Sequence, residues 1–105
     1  MSHPGRLAGK VAIITGAGLG LGEGITRKFV REGASVLLFE INEENGRCVA
    51  ESLPKENAHL FIGDVTDQEH WNEALKTCLE KFGSCDIVVN NAGVVHRAGV
   101  RSTPQ

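Results

Sequence analysis

Two rhythms of apolar residues alternate along this chain. Short uncharged runs, Val11-Ala12-Ile13-Ile14, Val36-Leu37-Leu38-Phe39 and Ile87-Val88-Val89, have the length and β-branched content of buried strands. Between them the apolar positions fall at helical spacing. Leu21, Ile25 and Phe29 lie at i, i+4 and i+8, and Cys48, Val49 and Leu53 share a second face. Trp71, Ala74, Leu75, Cys78, Leu79 and Phe82 form the cleanest stripe, at i, i+3, i+4, i+7, i+8 and i+11, which is the pattern of core packing. The pattern predicts strands over 10–15, Ser35–Glu40, Ala58–Ile62 and 85–90, with helices over 20–32, about 42–53 and from Thr66 to Phe82.

Turn chemistry agrees with these limits. Gly33 is placed to stop the first helix as a C′ residue, Asn42 to cap the second, and Pro54 to end it. Thr66-Asp67-Gln68-Glu69 reads as a capping box led by Thr66. After Val95 the periodicity dissolves. The expected layout is an α/β chain with residues 1–93 as one half-domain and 94–105 as an irregular tail. Strands alternating with helices imply a parallel sheet with right-handed crossovers and helices on both faces. A mononucleotide-binding half of a doubly wound, Rossmann-type sheet has strand order 3-2-1-4.

The first strand breaks into Thr15-Gly16-Ala17-Gly18-Leu19-Gly20-Leu21-Gly22. Strand, glycine turn and helix is the arrangement that sets a pyrophosphate against a helix N-terminus. The common spacing with glycines at i, i+2 and i+5 does not fit, because Leu21 stands where the third glycine would be. The spacing that holds is T-G-x-x-x-G-x-G, carried by Thr15, Gly16, Gly20 and Gly22. Gly16 allows a sharp turn off the strand, Gly20 lets the backbone approach phosphates, and Gly22 lets the helix sit close.

With Asn90-Asn91-Ala92-Gly93 after the last strand, this loop resembles the short-chain dehydrogenase/reductase family over residues 10–93. The resemblance implies the cofactor-binding half of a nicotinamide-dependent oxidoreductase. Thr15, Gly16, Gly18, Leu19, Gly20, Leu21 and Gly22 would form its phosphate loop. Glu40 closes the second strand, 18 residues past Gly22, and an acid there accepts hydrogen bonds from the adenosine ribose. Its charge, with Leu19 and Ile41-Asn42 where a cation would stand, implies NAD rather than NADP. Ile41 adjoins this acid in the expected site. Asp64 and Val65 match the pair that meets the adenine amino group and edge, and Asp64 would equally serve as a cap of the turn into the third helix. Asn91, Ala92 and Gly93 match the N-N-A-G segment, whose asparagines tie the sheet together and whose small residues leave room for the ribose.

The family's hydride transfer between a nicotinamide and an alcohol or ketone uses a Ser, a Tyr and a Lys four residues after the Tyr. This chain has no tyrosine, so no catalytic residue is assigned and the chain alone is expected to be inactive. Two other readings stand beside it: a non-catalytic dinucleotide-binding or docking module, meeting a full-length relative through an open sheet face, and a non-functional truncated product.

Composition narrows the partners. At 105 residues, 41% hydrophobic and 23% charged, this is one globular domain at most. A net charge of −2 gives no basis for nucleic-acid binding, and no apolar run is long enough to span a bilayer. A cytoplasmic location is expected. Cys48, Cys78 and Cys85 form no C-x-x-C pair, the four histidines have no ligand spacing, and no metal is expected. Cys48 and Cys78 are expected to be buried thiols on apolar helix faces.

Overall fold

The structure is a computed structural model that describes residues 5–91. The elements run β1 (Val11–Thr15), α1 (Gly20–Arg31), β2 (Ser35–Glu40), α2 (Glu43–Glu51), a 3-10 turn (Lys55–Asn57), β3 (Ala58–Ile62), α3 (Gln68–Phe82) and β4 (Ile87–Val89). The four strands form one parallel sheet in the expected order β3-β2-β1-β4.

Side chains of β1 and β2 alternate between the two faces, and each face has its own helices. Ala12, Ile14, Val36 and Leu38 point toward α1 and α2, where Val49, Ile25, Phe29 and Leu53 meet them. Val11, Ile13, Leu37 and Phe39 point toward α3, against Ala74 and Cys78. Because both faces are covered at these two strands, every residue from Val36 to Phe39 is fully buried, which explains their unbroken apolar run. Burying a side chain the size of Ile13, Leu37 or Phe39 contributes about 1.5–3 kcal/mol each. Phe39 also makes edge contacts with Phe61 and Trp71, at centroid distances of 5.3 and 4.8 Å.

Several limits differ from the sequence expectation, each for a local reason. The first strand begins at Val11, because the Lys10 amide closes a turn onto the Leu7 carbonyl. Helix α1 ends at Arg31 in a Schellman arrangement: Gly33 takes φ +97°, its amide bonds Val30 and the Ala34 amide bonds Phe29. The last strand shrinks to Ile87–Val89, since Asp86 pairs with Val11 through its own amide (2.8 Å) and its carboxylate (2.9 Å). Helix α2 closes at Glu51, and Pro54 then opens the 3-10 turn, which the hydrophobic pattern does not foretell.

Four expectations are corrected. Cys48 is exposed, because it sits beside the buried edge of α2 set by Gly46 and Val49. Thr66 does not cap α3. Its hydroxyl is donated to Asp64, and Asp67 caps instead by accepting from Glu69 and His70 amides. The stripe on α3 is half covered: Ala74 and Cys78 are buried, whereas Leu75 and Leu79 are 43% and 47% exposed. Leu21 likewise leaves the packed face of α1 and is exposed.

Candidate functional site

All four strands are parallel, so their carboxyl ends lie on one edge of the sheet. The chain order reverses at β1, with β2 on one side and β4 on the other. A crevice at such a reversal is where open α/β sheets hold ligands. The residues expected from the sequence gather there: Thr15 and the glycine loop after β1, Glu40 and Ile41 after β2, Asp64 and Val65 after β3, and Asn91 after β4. Ala92 and Gly93 lie outside the described residues.

The loop is built around two left-handed glycines, Gly16 at φ +61° and Gly20 at φ +58°. Side chains rarely adopt that conformation, which explains the residue type at both positions. Gly22 answers a different demand. A Cβ there would stand 1.8 Å from the Gly16 carbonyl oxygen and 2.7 Å from Nδ2 of Asn91. The start of α1 therefore rests directly on the turn it leaves. Gly18 seats the loop on α2, because a Cβ would meet the Asn45 and Gly46 backbone at 2.8 Å.

Helix α1 differs from its neighbours at its N-terminus. Asn42 caps α2 and Asp67 caps α3 with side-chain oxygens, but Leu19, the cap residue of α1, makes no side-chain cap. The first amides of a helix need a partner from somewhere, and the helix dipole favours an anionic one. Leu19, Leu21 and Ile41 surround this mouth as exposed apolar side chains, at 65%, 71% and 65%.

Glu40 is 7% exposed, and both its oxygens are engaged by backbone. Oε1 accepts from the Gly18 amide at 2.9 Å and Oε2 from the Asn42 amide at 3.1 Å. A carboxylate has about four acceptor positions, so these two bonds leave capacity for hydroxyl donors. At the next strand end, Asp64 Oδ1 accepts from both the amide and the hydroxyl of Thr66, at 2.9 and 2.7 Å. These bonds hold the Asp64 carboxyl below its ordinary range. Of the two roles open to Asp64, the turn cap is therefore occupied.

Thr15 joins the centre of the sheet to its edge. Its buried Oγ1 accepts the Asn91 amide hydrogen at 2.7 Å and lies 3.2 Å from Asn90 Oδ1. Three contributions were not foreseen from the sequence. Gly46 in α2 brings that helix against Leu60 and Glu40, and its place inside a helix was the available signal. His70 and Trp71, at the start of α3, bond the backbone of Asp64 and Val65. The hydrophobic pattern assigns Trp71 to the core stripe and gives no sign of either bond. A hollow of about 470 Å³ on the outer face of α2 is lined by Glu43, Glu44, Arg47, Cys48 and Glu51. Three acids on one helix face are a poor fit for phosphate.

Among the described residues, no group of His, Cys, Asp or Glu is arranged to hold a metal ion, and no helix is long and apolar enough to cross a membrane.

The chain is similar to known proteins over most of its length. The sequence model of the family described as short chain dehydrogenase matches residues 10–104. The chain is 44% identical over 96 residues to 2,5-dichloro-2,5-cyclohexadiene-1,4-diol dehydrogenase of Sphingobium indicum, covering 90% of this chain and 38% of that protein. It is 40% identical over 94 residues to short-chain dehydrogenase reductase 3a of Arabidopsis thaliana, covering 90% and 37%. Among solved structures, apo glucose dehydrogenase of Caenorhabditis elegans superposes with a TM-score of 0.80 at 39% identity, over 84% of this chain and 39% of that one. The C-domain of a bacterial malonyl-CoA reductase, solved with NADP, gives a TM-score of 0.80 at 26% identity, over 87% and 16%. The chain thus spans well under half the length of these relatives.

Proposed function

This chain belongs to the short-chain dehydrogenase family, a family that binds nicotinamide dinucleotides, and we propose that residues 1–93 are the NAD(H)-binding half of an oxidoreductase of that family. In this reading the pyrophosphate lies across the amides of Gly20, Leu21 and Gly22. Thr15, Gly16, Gly18 and Leu19 shape the turn that presents them. Glu40 accepts from the adenosine ribose, while Ile41, Asp64 and Val65 border the adenine. Asn91, Ala92 and Gly93 leave space for the second ribose. The observation that carries the reading is the mouth of α1: a helix start without a side-chain cap, laid on a turn so close that only glycine fits at position 22.

The preference for NAD belongs to this proposal. Glu40 faces the loop, and no cation occupies Leu19, Ile41 or Asn42. A 2′-phosphate about 4 Å from that carboxylate would meet a repulsion of order 4 kcal/mol per charge pair at an effective dielectric near 20. The malonyl-CoA reductase domain of like fold was solved with NADP, so in this reading the side chain at position 40 has to decide.

The bound nicotinamide would supply a hydride acceptor or donor for an alcohol or ketone. This chain's own residues bind and orient the dinucleotide. Acid–base groups would come from sequence that the longer relatives carry beyond the matched part, since the chain has no tyrosine. A cytoplasmic setting is part of the same proposal, supported by three free thiols.

Thermal unfolding of the purified chain, titrated with NADH and with NADPH, tests the reading. Stabilisation should grow as RT ln(1 + [L]/Kd), more steeply for NADH. No shift with either ligand would overturn it. A second reading, docking onto a longer relative through the open side of α3 and β4, is favoured by the exposed Leu75 and Leu79.

A further inference from the structure

The turn that follows β3 is held from the first turn of α3 by two successive rings. The Asp64 amide donates to Nδ1 of His70 at 2.9 Å. The indole N–H of Trp71 donates to the Val65 carbonyl oxygen at 2.8 Å. Trp71 is itself anchored against Phe39 in the core. The Asp64 side chain is engaged with Thr66, so it does not fix where its own amide points; the imidazole does.

We propose that His70 is a positioning residue for the adenine end of the site, its neutral ring accepting the Asp64 amide hydrogen and so setting the Asp64-Val65 turn that borders the base. This rests on the dinucleotide reading given above. For Nδ1 to accept, the ring proton must sit on Nε2, which faces Asp67 Oδ2 at 3.7 Å. The charged groups facing the ring are the carboxylates of Asp67, in the loop ahead of α3, and of Asp64, at the end of β3. Without an acceptor at Nδ1 the turn loses its bond, and with it the shape offered to adenine. Nicotinamide-side contacts, made at the far end of the crevice, are untouched.

The test uses the full 105-residue chain and calorimetric titration with NADH and with ADP-ribose. His70→Phe keeps the ring and removes the acceptor. His70→Asn places an amide oxygen near the Nδ1 position. His70→Gln reaches the Nε2 position instead. Loss of a partner for a part-buried amide is expected to weaken both ligands roughly tenfold in H70F and H70Q, with H70N within about threefold of the unaltered chain. Retained affinity in H70F and H70Q, or equal loss in H70N, overturns the role of His70 while leaving the dinucleotide reading intact. Absence of binding by the unaltered chain overturns both.

Discussion

Oε1 of Glu40 and the Gly18 amide meet at 2.9 Å across 22 residues of sequence, so the acid at the end of β2 clamps the loop that follows β1. The second oxygen holds Asn42, the cap of α2. Glu40→Ala removes an ionised acceptor from two backbone donors and is expected to lower the unfolding free energy by about 1.5–3 kcal/mol, read from the denaturant midpoint. In ligand titrations the same variant should narrow the gap between NADH and NADPH. An unchanged midpoint would show that the clamp is not formed in solution.

Gly22 and Gly24 lie two residues apart on α1 and should respond oppositely to alanine. The Gly22 position has a carbonyl 1.8 Å from where the methyl would go, while nothing stands within 4 Å at Gly24. Gly24→Ala should stabilise by about 0.5–1 kcal/mol through helix propensity. Gly22→Ala should destabilise by at least 1–3 kcal/mol and abolish cofactor-dependent stabilisation. Melting curves of the two variants side by side check the contrast.

Thr15→Val keeps the shape of a fully buried side chain and deletes the oxygen that receives the Asn91 amide. The expected cost is about 1–3 kcal/mol for the donor left behind. Amide exchange should speed up in β4 ahead of β2, because the lost bond lies at the β4 end. Equal acceleration in both strands would contradict that.

His59 lies on β3 in register with Leu37, and burial, reinforced by Lys81, depresses its value below the ordinary 6.5. A base depressed in the folded state favours folding above its unfolded value, and that contribution fades as pH falls below it, since the unfolded chain takes the proton first. Stability of the unaltered chain should therefore decline as pH drops from about 7 toward 5. His59→Leu should flatten that part of the profile, measured by urea titration at each pH.

Leu75 and Leu79 sit about half exposed on α3. Replacing both with Gln should alter stability by less than about 0.5 kcal/mol each and reduce self-association seen by light scattering. Unchanged scattering would mean that this face takes no part in association.

The fold was legible because its strongest signals are periodic or conformational. A strand buried on both faces has to read as an unbroken apolar run, and a left-handed turn has to carry glycine. The misses have a common origin: helical spacing gives an angle around the helix axis and says nothing about whether a neighbour stands there. Cys48 adjoins the buried edge of α2, and the outer half of the α3 stripe, Leu75 and Leu79, is left about half exposed. The Thr66 cap failed through competition, since Asp64 had already claimed that hydroxyl. At the site, the residue types at the strand ends were readable. The grip of His70 on Asp64 was not, because it depends on a turn whose path only the folded chain reveals.

The strand order β3-β2-β1-β4 also sets the order in which the protein can be assembled as it is made. Val11–Thr15 is made before the other three strands, yet the neighbour on its far flank, Ile87–Val89, follows only after β2 and β3. Throughout that interval a central strand presents bare amides and carbonyls along one side, and the nascent chain has to be kept from pairing with a stranger until Ile87–Val89 arrives.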